Sequence, residues 1–394
     1  MCCGILVTTA SASGFRLPEI STAGTALSNA LVANPDLPGA LPYNPAAMAF
    51  HERGQLLVGV TLVQPDISVK PDTGNASSIT GKDTFPIPNV FVSSRINNAW
   101  TAGVAINAPF GLETNWRAGT FSALSPAAEP EHSKLEMVNT NPNVAYQFGN
   151  TSVALGINRY HVRKLIFNTQ AISITGSGQD YGWNVGLLHA QNNWSVGLSY
   201  RSSVKVKIDG TVDGTLLGSS VSAAKAEIEF PSLLQVGVRY KMDDKLAVEF
   251  NVEQTGWSSF DTIEINHSSP GLPNPITSEN NWSDSWAYRL GATYDLSSTN
   301  QLQFGYAYDK TPSDDNFFSA RVPGNDRQMI SMGLAHKQAD WTIEFAYLYM
   351  QADDRKITSS TSYAPGGEVN GTDAFNGTYK LTAHLFSLGV STQF

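Results

Sequence analysis

Seven histidines, at 51, 132, 161, 189, 267, 336 and 384, are the first candidates for metal binding or proton transfer. None stands in a spacing such as H-E-x-x-H, where two imidazoles reach one ion from a single helix face. No G-x-S-x-G elbow occurs to raise a nucleophilic serine, and no Ser/His pair is placed for lipid hydrolysis. Residues 176–182 spell G-x-G-x-x-x-G, a near miss for a dinucleotide loop, but no helix pattern follows to receive a phosphate. Asp209 and Asp213, beside Gly210 and Gly214, offer either a weak Ca²⁺ site or a plain turn. The chemistry expected is therefore binding, with no enzyme activity, no metal and no cofactor.

The elements that position these residues follow from composition. Of 394 residues, 41% are hydrophobic and only 15% charged, against about 25% charged in an average domain. Net charge is −9, and Tyr and Trp number 14 and 8. Abundant aromatics with modest charge exclude disorder, and the acidic balance without a basic stripe argues against nucleic acid. Apolar runs, such as residues 56–63, reach eight residues or so, whereas a membrane-crossing helix needs about 20.

The hydrophobic residues alternate with polar ones. Leu302, Phe304, Tyr306 and Tyr308 oppose Gln301, Gln303, Gly305 and Ala307; Trp341, Ile343, Phe345, Tyr347 and Tyr349 oppose Thr342, Glu344 and Ala346. This is the strand period of two. Fourteen such segments are expected, near 55–69, 89–97, 99–107, 133–148, 151–168, 180–191, 193–212, 225–242, 245–267, 284–296, 300–310, 326–338, 340–358 and 379–394. Short connections carrying turn residues, as at Asn192-Asn193 and Asp243-Asp244, alternate with long ones at about 70–88, 108–132, 169–179, 213–224, 268–283, 311–325 and 359–378. The pattern implies an all-β membrane protein, a 14-stranded antiparallel outer-membrane β-barrel whose closure satisfies every backbone group inside lipid. Trp100, Trp194, Trp286 and Trp341 fall at strand ends, where interfacial girdles form, and the final strand ends in Phe394. A soluble sandwich would place Lys and Glu on the exposed face instead of Ser, Thr, Gly, Asn and Gln.

Residues 13–52 do not alternate. A short helix is expected over 21–33, stopped by Asn34-Pro35, and a second one opening at Asn44-Pro45, with Asn44 as its cap. So short a stretch forms no domain of its own. Its place is inside the barrel, as a mostly helical hatch plugging the lumen. Before it, apolar residues 2–7 and the small-residue run Ala10-Ser11-Ala12 suggest the remnant of a signal peptide over 1–12, with both cysteines at positions 2 and 3. The expected division is thus 1–12, a hatch over 13–52, and a barrel over 53–394.

In order along the chain stand Ser13-Gly14-Phe15 with Pro18-Glu19, Tyr43-Asn44-Pro45-Ala46, Pro109-Phe110-Gly111-Leu112, Trp257-Ser258-Ser259-Phe260 and Asp309-Lys310-Thr311-Pro312. With these residues the sequence resembles the FadL family of outer-membrane transporters for long-chain fatty acids, which includes the TodX-type importers of aromatic hydrocarbons. The resemblance implies a hatch that includes Asn44, Pro45 and Ala46, and a mature N-terminus (Ser13, Gly14, Phe15) that reaches the ligand pocket. It also implies a kinked third strand leaving a side opening, at Gly103, Asn107, Ala108, Pro109, Phe110 and Gly111. Long-chain fatty acids are the implied cargo, with neutral aromatic or alkane hydrocarbons as the alternative. A diffusion porin and an outer-membrane lipid enzyme are the readings from other classes.

For capture outside, Leu112, Trp116, Phe121 and Leu124 in the connection 108–132 are candidates, against the plainer expectation that they pack on one another. For a carboxylate head group, the resemblance makes Arg159, Arg163, Lys164, Arg239 and Arg289 candidates, because a guanidinium or ammonium donates charge-assisted hydrogen bonds; Arg163 stands where the family tends to have a basic residue in its fifth strand. Yet Arg159 and Arg163 share parity with Val153, Leu155 and Ile157. They face the lumen only if a bulge shifts the register, and otherwise meet lipid phosphates. A second family basic residue is replaced here by Ser285 or Trp286. The expected surroundings are a hydrophobic ligand, membrane lipid and lipopolysaccharide, around a monomer.

Overall fold

A computed structural model of the protein describes residues 14–78 and 83–394. The expected signal-peptide remnant and Ser13 lie outside the described residues. No helix among the latter is long and apolar enough to cross a membrane.

The alternating segments form fourteen antiparallel strands in chain order. They are β1 (Gln55–Pro71), β2 (Phe85–Arg95), β3 (Trp100–Asn107, resuming at Gly111–Asn115), β4 (Pro130–Phe148), β5 (Thr151–Thr169), β6 (Ser173–Gln191), β7 (Trp194–Arg201 and Val204–Asp213), β8 (Ser222–Phe230 and Leu233–Lys241), β9 (Leu246–Thr255, extended by Thr262–His267), β10 (Ile276–Glu279 and Ser285–Asp295), β11 (Asn300–Asp309), β12 (Arg327–Gln338), β13 (Trp341–Ala352 and Arg355–Ile357) and β14 (Gly377–Gln393). The first and last strands pair from Gln55↔Gln393 to Pro71↔Gly377, so the sheet closes on itself. Beyond that seam, Gly54 and Phe394 exchange reciprocal backbone hydrogen bonds, each 3.0 Å.

Side-chain parity follows the sequence. Phe304, Tyr306, Ile330, Phe345 and Leu388 are exposed outward, whereas Gln303, Ala307, Ser331, Glu344 and Ser387 are buried. The outer face is thus apolar and the inner face polar, the reverse of a soluble barrel. Trp100, Trp194, Trp286 and Trp341 are exposed on the outer face, near strand ends.

Inside, polar groups answer one another. Glu253 is held by Arg16 and by Arg289 Nη2 at 3.0 Å, and Asp309 by Arg327 Nη2 at 3.0 Å. Asparagines form a second network: Asn141 and Asn158 donate to Asn184 Oδ1 at 2.7 and 2.9 Å, and Asn184 donates to Asn143 Oδ1 at 2.9 Å. Buried charges and amides remain tolerable only when partnered in this way.

The leading segment is buried almost throughout between Phe15 and Ala49. It is less helical than its composition suggests. Only Thr22–Ala26 forms an α-helix (α1), capped by Ser21, whose Oγ accepts from Gly24 N at 2.9 Å; Pro38–Ala40 and Pro45–Phe50 are 3₁₀ turns. Two residues explain the early stop: Ser28 and Asn29 adopt positive φ, 45° and 68°, which turns the chain out of the helix. Asn29 is locked there by Tyr43, whose hydroxyl donates to Asn29 Oδ1 at 2.8 Å.

Candidate functional site

The barrel wall has an irregular place. Ladder contacts between β2 and β3 run from Arg95↔Thr101 only to Val90↔Ile106, while residues 85–89 of β2 pair with β1 alone. On its other side β3 passes from Asn107↔Asn139 to Gly111↔Glu136. Four residues advance on β3 against three on β4, so residues 108–110 form a bulge. Pro109, which brings no amide donor, sits at its centre. The opposite lip carries Pro86 and Pro88. Gly54 of the seam bonds Phe394 and Ile96 donates to Trp100 O, so even-numbered residues of β2 turn their backbone away from β1, and the donors that Pro86 and Pro88 lack would face the break. Two prolines spaced by two mark one unpaired edge, a signal already present in the sequence.

The leading segment joins this place directly. Arg16 forms an antiparallel bridge with Phe110; Gly111 N donates to Phe15 O at 3.1 Å, and Leu17 N to Pro109 O at 2.9 Å. Residues 15–17 therefore supply the bulge with a strand-like partner.

Phe15 sits in an aromatic cage. Its ring centroid lies 4.7 Å from that of Trp257, 5.2 Å from Phe260, 5.7 Å from Trp282, 6.1 Å from Phe110 and 6.2 Å from Phe230. These are edge-on or tilted approaches, the arrangement that aromatic quadrupoles favour. Val162, Val204, Val206, Ile208 and Ile228 complete the apolar wall. Gly14 makes the entry possible: its φ is +62°, and a Cβ there would lie 2.9 Å from Trp257 Cζ2. Beside the cage a cavity lined by Arg16, Tyr43, Asn107, Phe110, Tyr160 and Arg201 measures about 20 Å³, space for about one water molecule. The cage is full, and its occupant is a residue of the chain itself.

A profile of the family described as "Outer membrane protein transport protein (OMPP1/FadL/TodX)" matches residues 4–394. The chain belongs to this family. It is 22% identical to the long-chain fatty acid transport protein of Escherichia coli strain K12, across 90% of this chain and 91% of that one. It is 23% identical to outer membrane protein P1 of Haemophilus influenzae, across 98% and 96%. Among solved structures it is similar to a Pseudomonas aeruginosa FadL homologue (TM-score 0.81, 18% identity, 97% of this chain and 100% of that one). The Ralstonia pickettii toluene transporter TbuX is also similar (TM-score 0.73, 15% identity, 96% and 100%). Like other members of the FadL family, this is an outer-membrane protein. By the rule that short turns face the periplasm, the cage lies in the extracellular half of the barrel and the Gly54–Phe394 pair at the periplasmic end.

Asn44 caps the turn it was expected to cap, its Oδ1 accepting from Ala46 N at 3.1 Å. Its Nδ2 also donates to Val32 O at 2.8 Å and to Leu187 O of β6 at 3.0 Å, tying the segment to the wall beside Pro45 and Ala46. Gly103 faces inward under Met48, whose Sδ would stand 2.8 Å from a Cβ there.

Arg159 and Arg163 do not face the lumen. A bulge does occur in β5, between Val162 and Leu165; Arg159 lies before it and Arg163 within it, so it turns Leu165 inward and leaves both arginines outside with Lys164. Arg159 donates to Gln179 there. Arg289 faces inward and is buried, but its charge is committed to Glu253 and, at 4.0 Å, to Asp309. Arg239 lies toward the periplasmic mouth, where its Nη1 is 3.0 Å from Asp36 of the leading segment.

The connection 108–132 is shorter than expected, because Gly111–Asn115 continues β3. Trp116, Phe121 and Leu124 are buried against Phe318, Phe375 and Tyr379 in a core of the outer loops, and offer no open surface. The plainer expectation of loop self-packing describes them. Leu112 packs instead against the cage. Arg201 was missed. It stands at the inward parity of Ser195, Gly197 and Ser199 in β7, and that parity was the signal available.

Proposed function

We propose that this protein takes up hydrophobic compounds passively across the outer membrane, long-chain fatty acids above all. The observation that carries this reading is Phe15, held in an aromatic cage and hydrogen-bonded through its backbone to the bulge beside the wall break. A ligand with enough apolar surface displaces Phe15 from the cage. Moving Phe15 pulls on residues 109–111 and on the segment behind it.

Residues 13–52 act as the hatch: they fill the lumen, with Asn44, Pro45 and Ala46 fastened to β6. The break between β2 and β3 is the lateral exit. Burying one methylene contributes about 0.8 kcal/mol, so a long acyl chain gains on the order of 10 kcal/mol in the cage. Release into periplasmic water forfeits that gain, whereas sideways release into the bilayer keeps it. No bond is made or broken. The protein acts as a monomer surrounded by lipid and lipopolysaccharide. The name of the Escherichia coli relative supports fatty acids, and the aromatic walls of the cage support a second reading, import of neutral monoaromatic hydrocarbons.

The test is uptake of labelled oleate against labelled toluene in a strain lacking the gene, with and without the protein restored. Faster accumulation of either on restoration is the expected result, and the faster of the two names the class. Equal accumulation with and without the protein ends the proposal.

A further inference from the structure

On the outer side of the barrel, Val153, Leu155 and Ile157 of β5 and Leu187, Trp183 and Tyr181 of β6 are exposed as part of the apolar band. A barrel strand crosses the bilayer in about 9–11 residues. Counted from Thr151 at the periplasmic turn, β5 completes that crossing near Arg159, where polar residues take over. Beyond this level the β5 bulge turns two successive cations outward. Val162 stands opposite Met137 and Lys164 opposite Glu136, so Arg163 is the extra residue, and Arg163 and Lys164 are both exposed.

The bulge lies against Ser177 of β6, between the pairs Val162↔Gly178 and Leu165↔Gly176. Ser177 in turn stands opposite Asp209 of β7, two residues beyond Lys207. Ser177, Gln179 and Lys207 are exposed on the same side. The cations of β5 and β7 thus flank a strip of uncharged polar side chains, two strand spacings or about 10 Å apart. Nearby acids are already held: Glu136 by Lys134 at 2.9 Å, Glu229 by Lys205 at 3.7 Å, and Asp209 by Lys225 at 4.0 Å. Among the described residues no carboxylate lies within ion-pair distance of Arg163, Lys164 or Lys207. The band ends differently at β12 and β13, where Gln328 stands opposite Gln351, both exposed and neutral.

We propose that this outer face of β5–β7 docks the lipid A part of one lipopolysaccharide molecule, a disaccharide with a phosphate at each end, whose acyl chains lie along the apolar band. Arg163 and Lys164 take one phosphate and Lys207 the other, through charge-assisted hydrogen bonds. Ser177 and Gln179 hydrogen-bond the sugar between them. A phospholipid with a single phosphate satisfies one flank only, so the two-sided arrangement favours a head group with two. Tyr181 and Trp183 lie just below, at the level where aromatic rings keep their bodies in acyl chains and their polar edges at head groups. This goes beyond uptake: it rests on the chain's place in the outer membrane and on nothing about the cargo.

The test measures lipid A binding by native mass spectrometry on the full chain in mild detergent, with monophosphoryl lipid A and phosphatidylglycerol as comparison lipids. Losing one charge-assisted hydrogen bond lowers affinity about tenfold. Wild-type protein is expected to hold lipid A more tightly than phosphatidylglycerol by at least that factor, with the monophosphoryl form between. The double variant Arg163→Gln, Lys164→Gln and the single variant Lys207→Gln should each bring lipid A toward the affinity of the monophosphoryl form. Lys380→Gln, exposed on β14 and paired with Asp354 at 2.7 Å, removes a charge elsewhere and should leave lipid A binding as it is. Unchanged lipid A binding in both β5 and β7 variants overturns the docking site. So does an equal loss in Lys380→Gln, which marks general charge attraction, and so does equal affinity of the wild type for lipid A and phosphatidylglycerol. Oleate uptake in the same variants separates this from the transport reading. If uptake persists while lipid A binding fails these tests, only the docking site falls; if lipid A binds as expected and the wild type accumulates no oleate or toluene, only the transport reading falls.

Discussion

The carbonyl of Phe15 accepts a hydrogen bond from the amide of Gly111 at 3.1 Å, while the Phe15 ring lies 4.7 Å from that of Trp257. One residue thus touches both the aromatic cage and the irregular strand of the wall. Replacing it with alanine is expected to open the cage and to cost about 3 kcal/mol of stability, as large-to-small changes in a packed core do. The heat-modifiable mobility of the barrel in denaturing gels should shift to lower temperature. The amount of apolar ligand bound per chain should rise. An unchanged transition and unchanged binding would mean that Phe15 does not guard the site.

Deleting residues 13–50 should turn the barrel into an open channel. Planar-bilayer recordings are expected to show steady ion conductance for the deletion and little for the intact chain. A milder route is Gly291→Leu. A Cβ at Gly291 would stand 2.9 Å from Ala30 Cβ and 3.4 Å from Leu27 Cβ, so the larger side chain displaces the leading segment from β10 and raises conductance part of the way. Equal, large currents from wild type and deletion would favour a general porin.

His51, between the leading segment and β1, is buried. Burial pushes its pKa down from the usual imidazole range to about 4, with Arg95 adding to the effect and Asp36 and the Pro35 backbone opposing it. A free imidazole titrates near about 6.5. Between these values the undocked chain binds a proton that the folded one does not, so the docking of this region weakens as pH falls through the window. Conductance and protease sensitivity of the leading segment should rise from pH 7.5 to pH 5 in wild-type protein. In His51→Phe the rise should be much smaller, and an identical pH profile would remove the histidine from the account.

Changing Pro86, Pro88 and Pro109 to threonine restores three backbone donors at the two lips of the break and adds residues that favour strands. The β2–β3 ladder is expected to extend past Val90↔Ile106, and uptake of labelled ligand to fall toward the level of the deletion strain while the barrel stays folded. Undiminished uptake would place the exit elsewhere.

Much of the barrel was legible because its physics is local. Alternation at Phe304, Tyr306 and Ile330 records which side meets lipid, and one residue of slip would reverse every side chain. The irregularity near Pro109 was expected from the family resemblance, since the proline by itself allowed either a kink or a strand end. The short helix over 21–33 was not, because what ends it at Ala26 is the contact of Asn29 with Tyr43, 14 residues away. Arg163 could not be placed either: the β5 bulge exists, but only three-dimensional pairing shows that it begins after Val162. Arg201 and Tyr160 came together through a cavity between strands, a relationship that no spacing along the chain records.

Where the leading segment meets the wall, several wall positions carry no side chain. Gly103 lies under Met48, Gly186 under Pro45, Gly291 under Ala30, Gly333 under Ala26 and Gly389 under Thr22. Interlocked side chains resist sliding like gear teeth, because each must change rotamer before its neighbour can pass. A lining of glycines has no teeth. The bore is closer to a polished bearing, and resistance to movement falls to discrete ties such as Asp36 to Arg239. Such a joint can be worked by the modest free energy of one greasy molecule, with no motor attached.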